Sequence, residues 1–334
     1  EQGKEILDNI CRKFIANQQY SSTQDSIAKL RDDLEYVRIA MSSISEEHMN
    51  EVLLKQTLGS RFYNVGKIII EKNILSPDVV ERIILSAAIE YYNSAAGSYD
   101  QTIDTAKEIL DLAPVLNDDV LRELHLIEAA RLISSLGSTM LPLQIRLAED
   151  KMDVIKRVLQ DNPNNYLNIA TIQKLMFLLD SHASLSSTKR MQMLLIKTAV
   201  DEGDFSVAAN YFLSLFQMIR DSNDSAERKS ASNIADNFGS EYLDESIVKD
   251  ALDLVRNKNF TNLMVKKSLV DGLLINCPPE KLEEIVQIWR QFDYDLVEKC
   301  DVKEINSAND LFGHCKDDFE ITKRWYSNEK RRIQ

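Results

Sequence analysis

Glycine and proline are scarce in this chain, nine and six among 334 residues. A sheet protein needs such residues every few positions to turn its strands, whereas a helical stack needs them only at helix ends. Their scarcity argues against a sandwich or barrel and for an all-α chain. Cysteine is equally sparse. Cys11, Cys277, Cys300 and Cys315 stand far apart with no CxxC pair. They are too few for a secreted disulfide framework, so reduced thiols in a cytosolic setting are expected. The formal glycosylation sequons at Asn223 and Asn259 have no other lumenal feature beside them. No apolar run approaches the roughly 20 residues of a membrane span. Cations are in deficit: 40 Lys and Arg against 53 Asp and Glu leave a net charge of −13. Nucleic-acid binding needs a dense basic stripe that displaces counterions, and this balance argues against it.

The motifs of common chemistries are also missing. Val65-Gly66-Lys67 hints at a phosphate loop, but Arg61 stands where the earlier glycine is required and Ile68 replaces the magnesium-holding Ser or Thr. There is no GxGxxG and no GxSxG. The four histidines, His48, His125, His182 and His314, are far apart in sequence. Only His314-Cys315 with Cys300 could be stretched into a zinc set, and adjacent residues on a helix point away from each other. Ser42–Ser45 and Ser184–Ser187 read as caps and turns. The acidic pairs Asp32-Asp33, Glu46-Glu47, Asp118-Asp119, Glu283-Glu284 and Asp317-Asp318 read as solvated faces. The expectation is no catalytic, cofactor-binding or metal-binding residue, and hence no enzyme.

What is present is helical periodicity almost throughout, on the order of sixteen helices of ordinary length. Phe205, Ala208, Ala209, Phe212, Leu213 and Phe216 fall at i, i+3, i+4, i+7, i+8 and i+11, one stripe of a helix. The helix before it carries Leu194, Leu195, Thr198 and Ala199 and stops at Gly203. Glycine there permits a left-handed helix end, and Asp204 caps the next helix. Ser76-Pro77-Asp78 opens another helix, with Val79, Val80, Ile83, Ile84, Ala87 and Tyr91 on one side and Pro77 at the first helical position. Cys277-Pro278-Pro279-Glu280, Asn257-Lys258-Asn259 and Asp236–Asp244 are further breaks. No strict tandem consensus is visible, so the array is irregular.

The predicted fold is therefore all-α, an irregular α-solenoid of stacked antiparallel helical hairpins, with residues 1–334 as a single segment. Residues 138–168, holding Pro142 and Pro163, resist the pattern and are read as an internal crossover or junction. Burial is expected for Leu141, Leu143, Ile145 and Leu147, whose alternation permits a short extended piece. The stretch from Phe62 to Pro114 is read as two helical passes divided at Ser76-Pro77 and then a third helix. It is expected to form inner wall of the stack, not its contact surface. Trp289 is expected in the core. Trp325-Tyr326 is read as packing of a terminal helix, with an exposed anchor as the alternative. Lys323, Arg324, Lys330, Arg331 and Arg332 are read as a solvated helix end, with a membrane-surface or acidic-partner patch as the alternative. The acidic section from Asp236 to Asp253 is read as solvated, with steering of a basic partner as the alternative.

Several stretches have a familiar wording. In order they are VGKIIIEKNILSPDVVERIILSAAIEYYNSA, AKEILDLAP, Leu126-Ile127-Glu128-Ala129, LPLQIRLAEDKMDVIKRVLQDNP, DEGDFSVAANYFLSLF and NCPPEKLEEIVQIW, spanning about Phe62 to Trp289. These patches resemble the NBAS family of α-solenoid vesicle-tethering subunits, which includes the fungal counterpart in the Dsl tethering complex at the endoplasmic reticulum. The resemblance implies a non-catalytic scaffold subunit, cytoplasmic and peripheral on that membrane. Such a subunit would support capture of retrograde Golgi-to-ER vesicles and SNARE binding. Its implied partners are the other tethering-complex subunits and the N-terminal domain of an ER SNARE, with membrane association indirect through them and no nucleic acid. The start at Glu1, inside a helical pattern, and the resemblance together give the expectation of the C-terminal half of a longer chain. A related domain in the kinetochore Rod protein keeps a second reading open, a scaffold of another assembly of coat, kinetochore or pore type. The resemblance carries no partner-binding residues onto this sequence.

Overall fold

The structure, a computed structural model, describes residues 2–17, 32, 35–36, 38–39, 45–60, 63–72, 74–180, 184–230 and 243–299. Among these there are fourteen α-helices, two 3-10 turns and no strand. The helices are α1 Gln2–Asn17, α2 Glu46–Gly59, α3 Tyr63–Glu71, α4 Pro77–Ser94, α5 Gln101–Leu110, α6 Asp118–Ser135 and α7 Pro142–Leu147. They continue as α8 Lys151–Asp161, α9 Ile169–Leu179, α10 Leu185–Asp201, α11 Phe205–Ser230, α12 Glu245–Arg256, α13 Leu263–Asn276 and α14 Leu282–Lys299. The 3-10 turns are Pro163–Leu167 and Pro279–Lys281.

The chain divides into two compact units, the first running to Thr198 and the second beginning at Ala199. In the first, α2 packs on α1, α3 and α4; α4 on α5, α6 and α7; and α6 on α5, α7 and α9. In the second, α11, α12 and α13 pack on one another and α14 packs on α13. These principal partners lie one to three helices apart along the chain. That is the near-neighbour contact pattern of an all-α, irregular solenoid-like stack of helical hairpins.

Local chemistry explains the helix ends. Asp100, Asn117, Asp150, Asp204 and Asn262 each cap a helix by accepting a backbone N–H, for example from Val120 to Asn117 Oδ1 at 3.0 Å and from Val207 to Asp204 Oδ1 at 3.2 Å. Ser45 and Ser184 do the same through their hydroxyls, as the serine-rich pieces suggested. The Arg190 guanidinium and the Met152 N–H hold the Asp150 carboxyl below the usual carboxylate range. Gly137 and Gly203 have φ of +87° and +79°. Each closes its helix with the paired bonds of a Schellman motif: Ser138 N–H to Ile133 O with Gly137 N–H to Ser134 O, and Asp204 N–H to Ala199 O with Gly203 N–H to Val200 O. The left-handed stop at Gly203 and the cap at Asp204 stand where the sequence placed them.

The three helices expected between Phe62 and Pro114 are α3, α4 and α5. On α4 the buried side is Val80, Ile83, Ile84, Ala87, Ala88 and Tyr92. Val79 and Tyr91 lie at its half-buried margins, with the Tyr91 hydroxyl donating to Gly59 O at 2.6 Å. On α11, Ala208, Ala209, Phe212 and Phe216 are buried with Leu215 and Ile219, while Phe205 and Leu213 sit at the edges.

Residues 138–168 are helix, turn and helix within the first unit, and the extended reading of 141–147 is wrong. Pro142 opens the short helix α7, and Gln144 Oε1 returns to the Leu141 N–H at 3.0 Å. A helix spreads alternate residues around its circumference. Only Ile145 of the four aliphatics is therefore buried, and Leu147 is 68% exposed. What fastens α7 is polar. Arg146 donates bidentately to Glu123 on α6, 2.9 Å from Nη1 to Oε1, and its guanidinium lies 4.7 Å from the ring centroid of Tyr92 on α4. The two side chains are only 18% and 7% exposed. Burial pushes the Tyr92 phenol well above its ordinary range. Lys151 Nζ donates to Ala148 O at 2.8 Å beyond the end of α7, and burial beside Arg146 lowers its pKa. Asn165 Nδ2 reaches Leu136 O at 2.8 Å, and Ser138 Oγ donates to Asp161 Oδ2 at 2.5 Å.

Two stability outcomes follow from this packing. Glu123→Gln leaves the buried Arg146 without its carboxylate and is expected to cost about 3 kcal/mol, whereas Glu123→Leu with Arg146→Met recovers most of the loss. Urea denaturation of the three chains checks this; a Glu123→Gln midpoint equal to wild type would refute it. A Cβ at Gly272 would lie 2.9 Å from Phe216 Cδ2 and 3.0 Å from Leu213 Cδ2, while one at Gly59 would meet nothing within 4 Å. Gly272→Ala is thus expected to destabilise by about 1–2 kcal/mol despite better helix propensity, and Gly59→Ala to stabilise by a few tenths to about 1 kcal/mol. Thermal melts that rank these two variants the other way round would contradict the close approach of α13 to α11.

Candidate interaction surface

The residues that hinted at chemistry serve as structure where they are described. Val65-Gly66-Lys67 lies within α3, so its amides belong to a helix and not to a phosphate loop. Gly66 packs on Leu58 and Leu54. His48 Nδ1 faces Glu51 at 3.5 Å on α2, and His125 stacks obliquely on Phe177 with centroids 5.7 Å apart. Among the described residues, no three His, Cys, Asp or Glu side chains are grouped to hold a metal. Cys277 is buried, and burial pushes its thiol pKa up, away from the thiolate a nucleophile requires. Glu46-Glu47, Asp118-Asp119 and Glu283-Glu284 occupy first turns of α2, α6 and α14, where carboxylates complement the helix dipole.

Trp289 is half-buried, not core. Its indole N–H donates to Asp271 Oδ1 at 2.7 Å, and Lys267 Nζ sits 5.7 Å from the ring centroid while bonding Asp293 at 2.6 Å. An indole N–H needs a partner, and a wet edge shared with charged neighbours supplies one. Lys323, Arg324, Trp325, Tyr326, Lys330, Arg331, Arg332, His182, His314, Cys11, Cys300 and Cys315 lie outside the residues or side chains the structure describes. Of the acidic section, Asp244, Glu245, Asp250 and Asp253 are exposed on α12 or at its cap.

Two shallow grooves gather mixed polar and apolar side chains. The first follows α4: Asp78, Glu81, Arg82, Leu85, Ser86 and Ile89, with Asp119 of α6. Asp78, Arg82, Leu85 and Ile89 fall at i, i+4, i+7 and i+11, so they form a second stripe beside the buried side of α4. Leu85 and Ile89 are half-buried. Arg82 is held by Glu51 at 3.0 Å, Asp119 pairs with Arg122, and Glu81 accepts the neutral amide of Asn117. Neither Asp78 nor Glu81 has a cationic partner among the described residues.

The second groove lies in the second unit and is lined by Glu245, Val248, Lys249, Leu252, Arg256, Lys281 and Glu284. Arg256 pairs with Glu284 at 2.6 Å, and Lys281 with Glu245 at 3.6 Å and Glu284 at 3.8 Å. Its two carboxylates are thus paired, Lys249 makes no ion pair among the described residues, and Val248 and Leu252 are buried. The first groove is thus the one with a surplus of carboxylates. Sequence reasoning placed its residues in the inner wall. Their spacing was visible, but the approach of Asp119 from a different helix was not.

A model of the family described as secretory pathway protein Sec39 matches residues 1–310. The NBAS subunit of NRZ tethering complex from Homo sapiens is 30% identical over 129 residues, 38% of this chain and 5% of that protein. MAG2-interacting protein 2 from Arabidopsis thaliana is 24% identical over 310 residues, 89% of this chain and 12% of that protein. The chain therefore spans a small fraction of the length of these curated relatives. The resemblance carried by the ordered patches from Phe62 to Trp289 agrees with these matches. With its match running from residue 1 to residue 310, the chain belongs to the Sec39 family of secretory pathway proteins.

Proposed function

We propose that this chain is part of a non-catalytic scaffold subunit of a multisubunit tethering complex at the endoplasmic reticulum. The observation that carries the reading is membership of the Sec39 family, together with a human relative whose name makes it a tethering-complex subunit. The near-neighbour packing supports it physically. Helices that rely on nearby helices for burial can extend an array without a central core. A tether needs length and stiffness to set the distance between two membranes. Among the described residues no helix is long and apolar enough to cross a membrane, which fits attachment through partners. The finer role in this reading is support of Golgi-to-ER retrograde vesicle capture, with binding to the other tether subunits and to the N-terminal domain of an ER SNARE.

Purified tether subunits and SNARE N-terminal domains, titrated one at a time against the chain in a calorimeter, test the reading. At least one is expected to bind with a dissociation constant of about micromolar or tighter, and heats indistinguishable from dilution for all of them would sink it. In liposome flotation the chain alone is expected to stay with the soluble fraction and to float only when a membrane-anchored partner is present.

A further inference from the structure

We infer that the acid-lipped groove along α4 is a docking site for a basic amphipathic helix of another subunit of the same complex. This rests on the tethering role proposed above and adds where the chain is gripped and by what chemistry. A helix that only served the core would be apolar on one face. The buried side of α4 already holds Val80, Ile83, Ile84, Ala87, Ala88 and Tyr92. Leu85 and Ile89, one turn apart, extend the apolar surface onto a second stripe that this chain leaves half covered. Such an apolar strip along a helix is a surface on which the apolar face of an amphipathic helix can lie.

The rim selects the occupant. Among the described residues Asp78 and Glu81 have no cationic partner, Asp119, paired with Arg122, faces the same groove from α6, and the one cation lining it, Arg82, is already held by Glu51. An acidic helix would be repelled there, whereas Lys or Arg flanking the anchors would find free carboxylates. The groove lined by Glu245, Lys249, Arg256, Lys281 and Glu284 has the opposite balance, three cations to two carboxylates, and both carboxylates are already paired. It serves as the internal control.

The test uses the 334-residue chain and the purified tether subunits. Asp78→Lys with Glu81→Lys, and separately Leu85→Gln with Ile89→Gln, are each expected to weaken one subunit's binding by about tenfold or more with the circular-dichroism melt retained. The wild-type affinity is expected to fall with added salt, and the charge-reversed chain to lose that dependence. A photo-crosslinker at Ser86 is expected to capture a Lys- or Arg-bearing helical peptide of that subunit, and one at Lys249 to capture nothing from it. Unchanged affinity in both double variants while wild type binds overturns the groove and leaves the tethering role standing. So does crosslinking from Lys249 but not Ser86. Binding of no subunit by wild type overturns the tethering role and the groove with it.

Discussion

Apart from α7, the described helices hide apolar stripes, chiefly against helices one to three places away in the chain. The buried residues of α4 face α5, α6 and α7, and those of α11 face α12 and α13. A fully covered Leu or Ile contributes about 1.5–3 kcal/mol, so these stripes set the order and register of the stack. Surface ion pairs such as Lys174–Glu128 at 2.6 Å join neighbouring helices but contribute at most about 1 kcal/mol each. Because burial is shared only between near neighbours, outward faces are under little packing constraint.

The short helix α7 is the exception that a stripe cannot hold. Six residues with only Pro142 and Ile145 buried supply too little apolar area, so the Arg146–Glu123 pair over Tyr92 takes the fastening role. A guanidinium suits the position because its planar fork meets both carboxylate oxygens while its face rests on an aromatic ring. Desolvating two charges is costly, which makes the pair a weak source of net stability but a strict one of geometry. Any other seating of α7 would strand a buried charge.

Much of this was readable from the residues because capping is local. Gly203-Asp204, Ser76-Pro77 and Cys277-Pro278-Pro279 announce helix ends through chemistry confined to a few positions. Features that depend on distant neighbours were not readable. Glu123 and Arg146 stand 23 residues apart with nothing in either segment to pair them. Tyr91 and Tyr92 both fit the margin of the α4 stripe, and only the approach of Leu126, whose carbonyl accepts from the Tyr92 hydroxyl at 3.4 Å, decides which is buried. Alternating leucines at 141–147 look like a strand until Pro142 is seen to open a helix, and Trp289 looks like core until its N–H is traced to Asp271. The groove was half legible. Its stripe has a helical period, but its acidic rim is assembled from two helices.

That rim has a physical reason to be acidic before any partner is considered. Asp78 and Asp119 lie in the first turns of α4 and α6, where the partial positive charge of the helix terminus favours a carboxylate by roughly 0.3–1 kcal/mol. The same dipoles cancel part of the field those carboxylates project, so their presence alone would make a poor cation site. Glu81 is different. It stands in the second turn of α4, accepts a neutral amide, and is only half-buried. Its charge is therefore less compensated than that of Asp78, and Glu81 should dominate discrimination between basic and acidic helices. Leu85 and Ile89 supply the area. Recognition by this groove would thus divide as in other helix-in-groove contacts, with affinity from the apolar pair and selectivity from one carboxylate that the helix termini do not neutralise.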